Sequence, residues 1–120
     1  MNVYISGPIS GENRWETRTK FHNVWSDAYE AGCGTIVDPM DISEWALSWD
    51  TYMRIATTVI ESGEIDLMVM LNGWKQSRGA TIEHLWAKNH GIRIAYQTES
   101  GRYRLEGETW ENAKQCAKCH

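Results

Sequence analysis

The chain has 120 residues, enough for one domain of ordinary size with a buried core. With 42% apolar and 23% charged residues and two prolines, it lies outside the disordered and collagen-like classes. Its net charge of −4 gives no broad positive field for phosphates, so we expect no binding to duplex nucleic acid. No apolar run is long enough to cross a membrane, and the N-terminus lacks a secretion-signal pattern. We therefore expect a single cytoplasmic domain over residues 1–120 with no membrane partner.

The first third of the chain shows a strand, a loop, a helix and a second strand. Residues 2–5 are apolar and of strand type, and turn-forming residues follow at 6–11. Residues 12–31 have helical spacing of apolar side chains, namely Phe21, Val24, Trp25 and Ala28, and Gly32 is placed to end this helix. Residues 35–38, rich in β-branched side chains, predict the second strand.

The same alternation continues through the rest of the chain. Asp50 is a candidate N-cap of a helix that ends near Gly63, and its inner face carries Met53, Ala56, Val59 and Ile60. Residues 66–71 form a nearly continuous apolar run, which is typical of a strand covered on both faces. A helix over 80–89 with Ile82, Leu85 and Trp86 facing inward and a strand over 92–96 follow. Residues 97–120 are a C-terminal extension with a last helix near 110–117.

Alternating strands and helices predict a three-layer α/β sandwich of flavodoxin-like or Rossmann-like type, with four or five parallel strands. In such sheets ligands bind at the carboxyl ends of the strands. Two loops are expected at that edge. The first, formed by Ser6, Gly7, Pro8, Ile9, Ser10 and Gly11, suits an anion or a sugar, although a tight turn also requires glycine.

The second loop leads into the helix that carries Glu83. Ser77 and Gly79 can expose donors to a phosphate, and Glu83 one turn later points toward the same cleft. A glutamate in this position also commonly complements the helix dipole. Trp74 can stack on a base, and core packing or a subunit contact is an equal alternative.

Taken together, four segments of the chain resemble the nucleoside 2-deoxyribosyltransferase-like superfamily: Tyr4 to Gly11, Asp38-Pro39, Trp49 to Arg54 and Asp66 to Glu83. Within that superfamily they are most similar to a group of small phage and bacterial domains, with nucleoside 5′-monophosphate N-glycosidases as relatives. The resemblance covers roughly residues 2–96.

The resemblance implies a role for individual residues. Glu83 is the nucleophile at the anomeric carbon, and Tyr4 lies beside it. Gly7 and Ile9 contact the sugar and the base, Ser77 binds the 5′-phosphate, and Gly79 matches the glycine between Ser77 and Glu83. A neighbouring subunit commonly completes the pocket in these families, which implies a homodimer or a larger homo-oligomer. No cofactor is implied.

The chain departs from the family pattern at two positions. The first is the family aspartate that protonates the leaving base: counting back from Asp66 places it on Thr58, and counting forward from Met53-Arg54 places it on Ala56. The second is a loop arginine of some relatives, where this chain has Ser10. Asp50, Glu61 and Glu64 are candidate substitutes for the aspartate. Three functions therefore stay open: cleavage or transfer at an N-glycosidic bond, nucleotide binding without catalysis, and a structural oligomer that uses a tryptophan-rich surface.

Three cysteines, with Cys33 far from the other two, favour reduced thiols over a disulfide framework. Cys116, Cys119 and His120 match the haem-attachment pattern C-x-x-C-H and can also supply three zinc ligands. A solvated tail is the favoured interpretation, and we expect no metal.

Overall fold

Five strands form one sheet in a computed structural model that describes residues 1–9, 13–43 and 47–106. In chain order they are β1 (Asn2–Ser6), β2 (Thr35–Val37), β3 (Leu67–Met70), β4 (Arg93–Gln97) and β5 (Tyr103–Leu105). Across the sheet their order is β2-β1-β3-β4-β5, which is the flavodoxin-like order. The predicted α/β sandwich is confirmed.

The first four strands pair in parallel, whereas β5 runs antiparallel to β4. A parallel fifth strand was one form of the expectation, and that form is wrong. Only residues 98–102 separate β4 from β5, which is too short for a crossover helix. The backbone N–H of Thr98 instead donates to the carbonyl of Arg102 at 2.7 Å, and this bond closes a tight turn.

Within the described residues, four α-helices accompany the sheet: α1 (Arg14–Glu30), α2 (Pro39–Ser43), α3 (Trp49–Glu61) and α4 (Arg78–Asn89). Gly32 and Gly63 follow α1 and α3 with φ near +85° and +83°, as the sequence predicted for helix ends. The N-cap of α3 is Ser48 and not Asp50, because the Ser48 hydroxyl accepts from the backbone N–H of Thr51 at 3.2 Å. The short helix α2 was not predicted.

The two faces of the sheet bury different side chains. Val3 and Ile5 of β1 pack in one cluster with Phe21 and Val24 of α1. On the opposite face, Tyr4 packs in a cluster with residues of α3 and α4, namely Ala56, Ile60, Ala80 and Ala87. Alternate side chains of β1 therefore serve a core on each face, which makes three layers.

The inner face of α4 differs from the predicted one. Leu85 is 54% exposed, and Ile82 and Trp86 are only half-buried. The buried residues are Ala80, Glu83 and Ala87. The two alanines pack in the core cluster shared with α3 and the sheet, and Glu83 lies on the same buried face of α4.

Candidate functional site

Glu83 is a charged side chain in the protein interior, with 2% of its surface exposed. Its two carboxyl oxygens accept hydrogen bonds from two hydroxyl groups of β1. The hydroxyl of Tyr4 donates to Oε2, and the hydroxyl of Ser6 donates to Oε1 at 2.7 Å. These residues lie 79 and 77 positions from Glu83 in the chain, so the fold assembles the group. Each carboxyl oxygen thus has a fixed donor, which sets the orientation of the carboxyl plane.

The pKa of Glu83 is far from that of a carboxyl group in water. Burial raises it to about 7, and the hydrogen bonds from Tyr4 and Ser6 act in the opposite direction. Burial and the nearby Glu83 carboxylate raise the pKa of Tyr4 well above 10, so its hydroxyl stays protonated as a donor. Near neutral pH the carboxyl group therefore exchanges between its acid and its anion.

Glu83 lies at the wall of a cavity of about 340 Å³, a volume in the usual range for small-molecule sites. The cavity opens where β1 and β3 end, which is the switch point of a flavodoxin-like sheet. Its walls come from the loop after β1, the segment from α2 to α3, and the start of α4: Gly7, Pro8, Ile9, Ser43, Leu47, Trp49, Tyr52, Gln76, Ser77, Arg78, Gly79, Ala80 and Glu83.

The loop after β1 reaches the cavity as the sequence predicted. Gly7, Pro8 and Ile9 line it, whereas Ser6 lies behind them and contacts Glu83. Gly7 is needed for packing, because a Cβ atom there would lie 2.8 Å from the Cβ atom of Leu71. Predicted site residues Ser10 and Gly11 lie outside the described residues.

The start of α4 forms the opposite wall. Ser77 is the N-cap, and its hydroxyl oxygen accepts from the backbone N–H of Ala80 at 3.2 Å. Its own O–H remains a donor that can serve a ligand. Gly79 also lines the cavity, and a Cβ atom there would lie 3.4 Å from the sulfur atom of Met53. The helix begins two residues earlier than predicted.

Trp74 does not line the cavity. Its ring stacks on His84 with 4.3 Å between centroids, and the His84 Nε2 atom lies 2.8 Å from the hydroxyl of Tyr96. Trp74 packs against the core cluster of α3 and α4, which matches the core-packing alternative for this residue.

Trp49, Tyr52 and Arg78 line the cavity without having been predicted as site residues. The Tyr52 hydroxyl is buried near Tyr4 and Glu83 and is close enough to interact with the Tyr4 hydroxyl, yet no described residue offers it a hydrogen bond of full geometry. Trp49 and Tyr52 lie in the segment Trp49 to Arg54, whose family resemblance was the signal that could have identified them as site residues.

None of the candidate substitutes for the family aspartate lines the cavity. Ala56 is buried in the core, and the Thr58 hydroxyl donates to the Arg54 carbonyl at 2.6 Å. Glu61 accepts from the indole N–H of Trp86 at 3.2 Å. Glu83 is thus the one carboxyl group among the described residues of the cavity wall.

Comparison with family models gives one match: the model described as Domain of unknown function (DUF4406) covers residues 1–96. The chain belongs to this family. Every described residue of the cavity wall lies inside the DUF4406 region, whereas β5 lies beyond it. No curated protein and no solved structure matches the chain.

In the ranges that the structure describes, no helix combines the length and apolar character needed to cross a bilayer. Cys116, Cys119 and His120, as well as the helix expected near 110–117, lie outside those ranges.

Proposed function

We propose that this protein cleaves or transfers the N-glycosidic bond of a nucleoside or a nucleoside 5′-monophosphate, with Glu83 as the nucleophile. One observation carries the proposal: a buried carboxyl group, held by two hydroxyl donors, lies at a ligand-sized cavity on the carboxyl edge of the sheet. Burying a carboxyl group costs free energy, whereas an apolar side chain would pack at this position without that cost. Buried titratable groups in clefts are therefore candidates for catalysis.

The chemistry suits a carboxylate. Breaking the bond between the anomeric carbon and the base develops positive charge on the sugar. A Glu83 oxygen attacks that carbon, and the electron pair of the C–N bond leaves with the base, which takes a proton from water. Water or a second base then attacks the same carbon, the bond between that carbon and the Glu83 oxygen breaks, and its electron pair returns to the carboxylate. The attacking group gives its proton to the hydroxide left by the first step.

Tyr4 and Ser6 are positioning residues in this scheme. Each occupies one lone-pair site of the carboxylate, which has about four, so oxygen lone pairs remain for attack on the sugar. Because attack requires the anion and the pKa of Glu83 is about 7, we expect the rate to rise with pH through that value.

Nucleotide binding without turnover is the second candidate function. It is favoured by the lack of a second carboxyl group in the described part of the cavity wall, since protonation of the leaving base is the usual task of such a group. The same cavity serves both functions, and released base distinguishes them.

The test is to incubate the protein with ribo- and deoxyribonucleosides and their 5′-monophosphates and to measure free base by chromatography. We expect Glu83→Gln to lower the rate by about 1,000-fold or more, because the amide cannot act as an anionic nucleophile. Glu99→Gln removes an exposed carboxyl group of the β4–β5 turn and is the matched control. Binding without released base supports the second candidate, and no binding contradicts both.

We also propose a cytoplasmic homodimer, as the family resemblance implies. The homodimer is supported by the outer face of α1, where the side chains of Trp15 and Tyr29 are 76% and 64% exposed. Large aromatic side chains in water are typical of interaction surfaces. A structural role for this surface alone is the remaining alternative if no nucleotide binds.

A further inference from the structure

Arg78 and Trp49 form a contact at the mouth of the cavity. The guanidinium carbon of Arg78 lies 4.4 Å from the centre of the Trp49 ring. Trp49 is the first residue of α3 and Arg78 the first of α4, so the contact joins the starts of two helices that hold the cavity between them. An arginine on an indole face is held by a cation–π attraction, which orders an otherwise flexible side chain.

The contact leaves the hydrogen-bonding groups of Arg78 free. Stacking uses the flat face of the guanidinium, whereas its five N–H donors point outward in the plane. In residues 1–9, 13–43 and 47–106, no carboxylate or other acceptor pairs with this guanidinium. An ordered cation without an anionic partner therefore stands beside a cavity whose deeper wall carries Glu83.

Arg78 and Glu83 both lie on α4 and both line the cavity. Glu83 lies five positions after Arg78, which corresponds to a rise of about 7.5 Å along the helix axis at 1.5 Å per residue. One orientation of a sugar with its anomeric carbon at Glu83 directs the 5′ end toward Arg78, and in that orientation a 5′-phosphate reaches the guanidinium. Ser77, next to Arg78, adds a hydroxyl donor at the same end.

We propose that Arg78, ordered by Trp49, is the specificity-determining residue that binds a phosphate on the sugar and makes nucleoside 5′-monophosphates the preferred ligands over nucleosides. The proposal rests on the function proposed above. A planar guanidinium binds two phosphate oxygens at once, and such charge-assisted pairs are stronger than neutral hydrogen bonds. The positive charge that binds the phosphate is thus the Arg78 guanidinium at the start of α4.

The experiment compares matched ligands on three variants. Dissociation constants are measured by calorimetry for ribo- and deoxyribonucleosides and for their 5′-monophosphates. We expect Arg78→Gln to weaken monophosphate binding by about 10- to 100-fold and nucleoside binding by less than about twofold. Arg78→Lys keeps the charge but loses the fork and the stacked face, so we expect an intermediate loss.

Lys75→Gln is the control for net charge. Lys75 lies three residues before Arg78, contacts Trp74 and does not line the cavity. This substitution removes the same charge, and we expect it to leave monophosphate binding within about twofold, because a water-exposed charge at a distance is screened. Arg78 is exposed, so its substitution is not expected to disturb folding, and melting temperatures of all variants verify this.

The outcomes separate this inference from the function on which it rests. Equal affinity of the wild-type chain for nucleosides and monophosphates, or an equal loss of both in Arg78→Gln, overturns the role of Arg78 and leaves the function of Glu83 standing. Loss of monophosphate binding in Lys75→Gln to the same extent also overturns it. If no nucleoside or nucleotide binds the wild-type chain, the proposed function fails and this inference fails with it.

Discussion

The two faces of the central sheet use the same strand for different purposes. On the α1 face, Val3 and Ile5 meet Phe21 and Val24 in a cluster whose buried members are mostly apolar. On the α3 and α4 face, Tyr4 and Ser6 donate to the buried carboxyl group of Glu83. The alternation of β1 thus places packing on one face and a polar group on the other.

The difference shows where the chain accepts a cost in stability. An apolar cluster gains free energy from every side chain that it buries, whereas a buried carboxyl group must be compensated by fixed donors. The cavity lies on the same face as that carboxyl group, and so does Arg78, which lines the cavity. We therefore expect substitutions on the α1 face to lower stability through lost packing, whereas on the other face stability depends on the protonation and hydrogen bonds of Glu83.

The largest effect on stability is expected for Phe21→Ala. Phe21 is fully buried, so removal of its ring leaves a cavity and lowers the free energy of unfolding by about 3–5 kcal/mol. Urea denaturation measures this loss. Leu85→Ala, on the exposed side of α4, is the control and is expected to change stability by less than about 1 kcal/mol. A loss below 1 kcal/mol for Phe21→Ala would contradict the assignment of this face to packing.

The next effect is a dependence of stability on pH that belongs to Glu83. Its pKa rises from an ordinary value of 4.5 to about 7 in the folded chain. Between these values the folded chain binds more protons at Glu83 than the unfolded chain, so the free energy of unfolding falls as the pH rises. The total fall approaches about 3 kcal/mol, at 1.36 kcal/mol for each unit of pKa.

Glu83→Gln isolates this contribution. We expect the difference in unfolding free energy between the variant and the wild-type chain to shift in favour of the variant between about pH 4.5 and pH 7 and to level off above that range. Urea titrations at pH 4.5, 6 and 8 measure it. A difference that does not change with pH would show that the carboxyl group has an ordinary pKa.

The smallest effect is expected for Tyr52→Phe. In the described part of the chain its buried hydroxyl makes no hydrogen bond of full geometry, so its removal is expected to leave stability unchanged or to raise it by up to about 1 kcal/mol. Tyr4→Phe makes the same chemical change at a hydroxyl that donates to Glu83 and is expected to cost about 1–3 kcal/mol. Equal losses for the two variants in thermal unfolding would show that the Tyr52 hydroxyl has a partner in solution.

Local patterns in the sequence predicted most of the fold. Gly32 and Gly63 end helices because a positive φ favours glycine, and this signal is read one residue at a time. The apolar run at 66–71 is also a local pattern, typical of a strand covered on both faces, and β3 occupies its centre. The order of the strands depends instead on contacts between residues far apart in the chain. The expectation of parallel pairing was correct for β1 to β4.

The inner face of α4 could not be read from hydrophobicity. Leu85 is more apolar than Glu83, yet Glu83 is the buried residue, because Tyr4 and Ser6 provide its donors from a strand about 80 residues away. Only the family resemblance pointed to this pairing in advance. The contact between Arg78 and Trp49 was missed for a similar reason, since the starts of α3 and α4 meet only in the folded chain.

The close approach of Gly7 to Leu71 has a practical consequence for anyone who wishes to alter ligand preference. A side chain at position 7 would push against the residue that follows β3 and displace the backbone of Pro8 and Ile9 together. Directed-evolution libraries for this protein should therefore keep position 7 constant and vary Ile9 and Leu47, which both line the cavity.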